Sequence, residues 1–160
     1  MGTYRIAQIC MNGHCITDSV DANPERGQQF CDKCGSATIT TCPSCGANIR
    51  GDYHVSGVIV AGFRYKVPAY CYSCGKPYPW TQSAIESAVE LIQEEEELDA
   101  AQKEKLVSSL PDIVSETPKT QVAIVRFKKA MLSAGRFTAD ALRQFAIDFG
   151  CELAKKQLGL

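Results

Sequence analysis

One short unit is used three times in this chain: FCDKCGS at 30–36, TCPSCGA at 41–47 and YCYSCGK at 70–76. Each holds Cys-x-x-Cys-Gly, which gives the pairs Cys31/Cys34, Cys42/Cys45 and Cys71/Cys74. Two intervening residues turn the backbone so that both sulfurs face one point, about 2.3 Å from a shared metal ion. The glycine that follows can adopt φ > 0 and let the chain pass close to the metal. Two such turns facing each other close a tetrahedron with no open position, the arrangement of a structural site rather than a catalytic one. Three pairs fill one tetrahedral site and half of another. The missing half must lie in QICMNGHCITDS, residues 8–19, which offers Cys10, His14 and Cys15.

His14 and Cys15 are adjacent, so an extended chain points them to opposite faces. One of them is expected to pair with Cys10. Asn12-Gly13 is a tight-turn dipeptide that returns His14 beside Cys10, and the longer imidazole spans the extra residue of a Cys-x3-His spacing. Cys10 with Cys15 is the alternative. Sequential closure groups Cys10, His14, Cys31 and Cys34 in one site and Cys42, Cys45, Cys71 and Cys74 in the other. A cross-braced, RING-like pairing of first with third and second with fourth half-sites is the competing arrangement. The expected cofactors are two structural Zn2+ ions per chain, with rubredoxin-like iron the minor alternative.

The cysteine count supports metal over disulfides. Nine thiols are an odd number, and a cytoplasmic location, expected from the lack of a secretory or membrane-spanning apolar run, keeps thiols reduced. Charge is unevenly spread. Residues 1–80 hold 7 Lys/Arg and 5 Asp/Glu, residues 81–118 hold 2 and 10, and residues 119–160 hold 8 and 3. Two filled sites would bring the first segment to about −1, so it is not a basic, phosphate-seeking surface.

The expected fold class is α+β: a small tandem zinc-ribbon module of β-hairpins and zinc knuckles at 1–80, an acidic helical connector at 81–117, and a C-terminal helical hairpin at 118–160. Strand-like stretches lie at 4–9, 37–41 and 52–71, the last read as a hairpin around Val58, Ile59 and Val60. A helix is predicted over 80–98, with Thr81 as its cap and Trp80 and Ile85 as a hydrophobic staple. A second is predicted from Asp99, with Gln102 completing a capping box, until Pro111 stops it. Thr117-Pro118 opens a third, stopped by Gly135, and Thr138 caps a fourth whose apolar stripe includes Leu142, Phe145, Phe149 and Leu153.

The stretches RIAQICMNGHCITDS, FCDKCGSATITTCPSCGANIRGDYHV and PAYCYSCGKPYPWT resemble a bacterial double-zinc-ribbon family, one of the domain-of-unknown-function groups, over residues 4–82. The resemblance implies tandem ribbons with Cys10, His14, Cys31, Cys34, Cys42, Cys45, Cys71 and Cys74 as ligands, and no activity. Cys15 is a departure from the family pattern.

No phosphate loop, catalytic triad or open metal site stands out, so the chain is expected to be a non-enzymatic adaptor. In that reading the ribbons form a recognition head for a protein partner, and the C-terminal helices dock or self-associate through Phe127, Phe145 and Phe149. No membrane partner is expected. A nucleic-acid-binding ribbon protein and a RING-like ubiquitin-transfer adaptor are the alternatives. Candidate partner-binding residues are Tyr78 and Trp80, which could stack on bases or a peptide, and Arg126 and Lys129 within the basic set near the C-terminus. Cys15 and Cys151 are left over and read as ordinary small apolar residues. The acidic run 94–97 reads as a solvated helix end.

Overall fold

The computed structural model describes residues 1–160 and divides them into two units, Met1–Gln82 and Ser83–Leu160. Small antiparallel sheets occupy the first and helices the second, so the fold class is α+β. In the first unit the opening strand changes partner midway. Strand β1 (Thr3–Ile6) pairs with β5 (Arg50–His54), and β2 (Gln8–Cys10) lies between β3 (Cys15–Thr17) and β4 (Thr38–Ile39). The switch falls at Ala7, fully buried, whose N–H donates to the Ile49 carbonyl at 2.9 Å. One continuous stretch of chain is thereby stitched to the segments that carry two of the Cys-x-x-Cys turns.

The core of this unit is small. Ile9, Ile49, Tyr78 and Trp80 are its large buried side chains apart from cysteine. Tyr78 and Trp80 stack with ring centroids 4.7 Å apart, and the Trp80 indole N–H donates to the Pro68 carbonyl at 2.9 Å. The hairpin expected over 52–71 is not formed. The strand ends at His54 and residues 56–64 are exposed throughout. Val58, Ile59 and Val60 have no partner strand, so their β propensity finds no surface to pack on.

Helix α1 (Pro79–Glu94) starts two residues before the expected cap. Proline takes the first helical position, where its missing N–H costs nothing, and the Tyr78 carbonyl accepts from Thr81 and Gln82. Thr81 is not a cap. Its hydroxyl donates to the Ala69 carbonyl at 2.8 Å and ties the helix start to the segment before Cys71. The side chain of Lys103 reaches back to the Gln93 carbonyl at 2.8 Å, satisfying one of the last carbonyls of α1.

The second unit contains α2 (Ala100–Val114), α3 (Thr120–Ser133), α4 (Arg136–Phe149) and α5 (Glu152–Leu158). The capping box at the start of α2 is present, with Asp99 and Gln102 satisfying each other's backbone. Pro111 does not stop α2, which runs on to Val114. A proline in the last turn forfeits one hydrogen bond, while the turn after it buries Ile113 and Val114. Thr117 caps the turn before α3: it accepts from Lys119 N–H at 3.1 Å and donates its own N–H to Thr120 Oγ1 at 2.8 Å.

Gly135 is not a left-handed stop. It has φ −58 and serves as the N-cap of α4. The helix therefore starts at Arg136, and Thr138 sits in its first turn rather than at its cap, buried at 6% exposure. The chain then breaks at Gly150, so the expected two-helix hairpin is three helices; Cys151 N–H donates to the Ile113 carbonyl at the break. Packing of α2, α4 and α5 on α3 buries Leu106, Leu110, Ile113, Ile124, Phe127, Leu142 and Phe145. Phe127 and Phe145 are therefore covered within one chain, whereas Phe149, the third residue expected to drive self-association, is half-buried.

Candidate metal centres

The three repeated turns fold alike. In each, the first cysteine's N–H donates to the carbonyl five residues on, from Cys31 to Ser36, Cys42 to Ala47 and Cys71 to Lys76, at 2.8–2.9 Å. The glycine N–H donates back to the first cysteine's carbonyl, again at 2.8–2.9 Å. Gly35, Gly46 and Gly75 have φ between 72° and 76°, and a Cβ on any of them would meet no atom within 4 Å. Backbone conformation rather than crowding selects glycine there.

The N-terminal half-site is a shortened version of the same device. Cys10 N–H donates to the His14 carbonyl at 3.0 Å and Gly13 N–H to the Cys10 carbonyl at 2.9 Å, so the turn closes one residue sooner. Gly13 has φ +89, and a Cβ there would lie 2.9 Å from Cβ of Trp80, so here both conformation and close packing demand glycine. His14 follows the glycine, and its ring crosses the gap that a cysteine would not span.

Two groups of four donors result, sequential rather than cross-braced: Cys10, His14, Cys31 and Cys34, and Cys42, Cys45, Cys71 and Cys74. In the first, Cys10 Sγ lies 3.7 Å from Cys34 Sγ, and His14 Nδ1 lies 3.5 Å from Cys10 Sγ and 3.6 Å from Cys31 Sγ. In the second, Cys42 and Cys74 sulfurs are 3.8 Å apart and Cys45 and Cys71 sulfurs 3.7 Å apart. A disulfide would need about 2.05 Å. A tetrahedral ion with metal–sulfur bonds of ~2.3 Å has sulfur–sulfur edges of about 3.8 Å, and with a nitrogen ligand at ~2.05 Å a nitrogen–sulfur edge of about 3.5 Å. The separations found are those edges. Both groups could hold a metal ion without rearrangement, and the ligand atom of His14 would be Nδ1.

The electrostatics agree. Hydrogen bonds from the Ser36 backbone, and then from the Ser36 and Asn12 side chains, bring Cys34 down to about 5. Cys71 falls to about 6, chiefly through the backbone N–H of Cys74. The Lys76 backbone lowers Cys74 too, but burial and the three neighbouring sulfurs outweigh it and push that thiol up to about 11. Burial raises Cys10. Thiols crowded at these distances cannot all ionise alone, and a divalent cation removes the conflict. Amides serve the sulfurs directly: His14 N–H lies 3.3 Å from Cys10 Sγ and Ser73 N–H 3.4 Å from Cys71 Sγ.

The chain matches the model of a family described as an uncharacterized protein conserved in bacteria, over residues 3–158. It belongs to DUF2321. The match takes in the helical unit as well as the cysteine-rich one, and so reaches well beyond the ribbon segment where the likeness is plainest in the sequence. No curated protein and no solved structure matches the chain.

Within this DUF2321 chain, other candidates fall elsewhere. Cys15 lies on β3, exposed and outside both groups, and Cys151 sits half-buried at the α4–α5 break. Tyr78 and Trp80, candidate stacking residues, are 1% and 3% exposed. They are core, and the surface role expected of them is corrected. Burial raises the Tyr78 phenol, and its hydrogen bond with Cys71 raises it further; the protonated phenol is thus a partner for one of the candidate ligand sulfurs. Arg126 and Lys129 are exposed on α3, beside a groove against α2, and the Arg126 guanidinium reaches Ser109 Oγ at 3.4 Å.

Sequence reasoning missed two features. Arg50 lies over Tyr72 at 3.7 Å from the ring centroid and over Tyr4 at 4.5 Å, joining β1 and β5 to the last Cys-x-x-Cys turn; only a contact between distant segments reveals it. Glu95, within the acidic run read as solvated, is 7% exposed. Hydrogen bonds from the Thr138 hydroxyl, then from the Glu97 and Gly135 backbones, hold its carboxyl below its usual value. It caps the start of α4 from outside that helix.

Proposed function

We propose that this protein is a non-enzymatic adaptor. In this reading two structural Zn2+ ions fix the first unit in shape, and the helical unit offers a docking face. The supporting observation is closure: each group supplies four soft or borderline donors at tetrahedral separations, which leaves no position for a substrate or an activated water. The docking face is the groove between α2 and α3, floored by Leu106, Val122 and Val125 and rimmed by Lys105, Arg126 and Lys129. An apolar floor with a cationic rim suits a protein segment carrying acidic residues beside apolar ones. The RING-like alternative loses its premise, because ubiquitin-transfer RING geometry requires the cross-braced pairing.

Cobalt substitution tests the closure. Co2+ in both sites should give the intense absorption of tetrahedral thiolate-bound cobalt, at two ions per chain, and added cyanide or azide should leave it unchanged. A spectral shift on adding either anion would reveal an open position and return the protein to the catalytic class.

A second reading, nucleic-acid binding, rests on different residues from those the sequence suggested. Tyr4, Tyr53 and Tyr72 are each about half exposed and gather around Arg50, a combination that can stack on single-stranded bases. Binding of a single-stranded oligonucleotide that falls steeply with salt and is lost in Tyr72→Ala would support it; no binding at low salt would eliminate it.

A further inference from the structure

The segment between the two cysteine pairs of the second group does something that chain in water rarely does. Residues 56–64, SGVIVAGFR, are exposed without interruption, and four of them are large and apolar: Val58 at 56% exposure, Ile59 at 96%, Val60 at 68% and Phe63 at 57%. Gly57 and Gly62 flank the apolar run with φ of 81° and 80°, and a Cβ on either would meet nothing within 4 Å. The tip therefore stands clear of the rest of the unit. Its base is fixed, because the Tyr65 hydroxyl donates to the Arg50 carbonyl at 2.7 Å and the Trp80 indole to the Pro68 carbonyl.

We infer that this loop inserts its tip, Val58 to Phe63, into the interface of an anionic lipid bilayer. Charge selects that occupant. The cysteine-rich segment as a whole is not basic, but the loop between the two cysteine pairs is: from Tyr53 to Tyr70 the chain has no Asp or Glu, and it carries Arg64 and Lys66 just after the tip. Apolar side chains followed directly by cations match a surface whose interior is hydrocarbon and whose headgroups are negative. Shape points the same way. A convex tip on free backbone needs a partner that deforms around it, which a fluid bilayer does and a folded protein does only with a matching pocket. No helix here is long and apolar enough to cross a membrane, so the association would be peripheral and reversible. It departs from the expectation that this chain keeps away from membranes, and it does not depend on the adaptor reading.

The test uses the full chain loaded with metal, and vesicles of phosphatidylcholine alone or of equimolar phosphatidylcholine and phosphatidylglycerol. The wild type should float with the mixed vesicles at low salt and far less with phosphatidylcholine alone. Ile59→Asp should lower the partition constant by about tenfold or more, and Arg64→Gln by about fivefold. Both positions are exposed, so metal content and Trp80 emission should match the wild type and show that the fold is kept. Ile59→Trp should shift its added emission to the blue only with mixed vesicles. Failure of the wild type to float with either vesicle, or flotation unaffected by Ile59→Asp, overturns the proposal. So does a wild-type dimer that Ile59→Asp converts to monomer without loss of flotation, since the tip would then be covered by a second copy.

Discussion

Metal removal should unfold one half of this protein and spare the other. Apart from cysteine, the large buried side chains of the first unit are Ile9, Ile49, Tyr78 and Trp80. Each contributes ~1.5–3 kcal/mol on burial, roughly 6–12 kcal/mol together. A single structural zinc contributes ~10–16 kcal/mol of apparent binding energy at neutral pH, so either ion matches or exceeds the whole apolar core. The second unit buries Leu106, Leu110, Ile113, Ile124, Phe127, Leu142 and Phe145, among others, and none of its buried residues belongs to a metal group. A strong chelator should therefore melt the strands and turns and leave most of the helix. The chain's one tryptophan makes the assay simple, because Trp80 packs against Gly13 of the first site and stacks on Tyr78, which supports Cys71 of the second. Its emission should move to the red and lose intensity as metal leaves, while far-ultraviolet dichroism keeps its helical shape, and added Zn2+ should restore both. Unchanged Trp80 emission in protein shown by elemental analysis to be metal-free would refute the argument, since the four apolar side chains would then suffice alone.

Four further outcomes follow from the same geometry. His14→Ala should leave one tightly held ion per chain and His14→Cys should restore the second only weakly, because a cysteine sulfur falls short of the position of Nδ1; titration with a chromophoric chelator reads both. Gly75→Ala should cost about 1–2 kcal/mol in thermal unfolding of the first unit, the price of left-handed backbone alone, as no atom obstructs the added methyl. Phe127→Ala, at a fully buried position, should destabilise the helical unit by roughly 3–5 kcal/mol and leave metal content at two ions. Glu95→Gln should lower the melting temperature of the helical unit near neutral pH, and the gap should close in acid. The folded-state carboxyl is depressed, so its contribution is present above the unfolded value and lost as pH falls through the folded one.

Most of the first unit was legible because metal ligation has a fixed vocabulary. Cys-x-x-Cys-Gly dictates a local turn whatever surrounds it, and the Asn12-Gly13 dipeptide dictates where His14 returns. The stretch 52–71 was misread because alternation and β-branching report what a strand would bury, and no sheet edge is there to receive Val58, Ile59 and Val60. In the helical unit, apolar periodicity located the helices and missed their ends. Pro111 failed as a stop because tertiary burial of Ile113 and Val114 outweighs one lost hydrogen bond. Gly135 and Thr138 looked like a stop and a cap from neighbouring sequence alone. Their roles are set by Glu95, forty residues or so upstream, which no local pattern can announce.

The two units reach order by different means, and this bears on where function can be placed. The first has few large buried apolar side chains and a backbone pinned by the turns of two four-donor groups that could each hold a metal ion, so its surface can carry residues that would otherwise be drawn inward. Val58, Ile59, Val60 and Phe63 remain outside although the unit has little core of its own. A metal-held scaffold tolerates this, because its stability does not depend on recruiting every apolar side chain. In a chain folded by burial alone, four such residues on one loop would be the first to collapse onto the core. If metal ligation is what lets them stay outside, the loss of metal should make the loop a site of aggregation: chelated protein should precipitate at concentrations where Ile59→Asp, equally stripped of metal, stays in solution. If both precipitate alike, the exposed loop does not govern the behaviour of the unfolded unit, and the link drawn here between ligation and a free apolar tip fails.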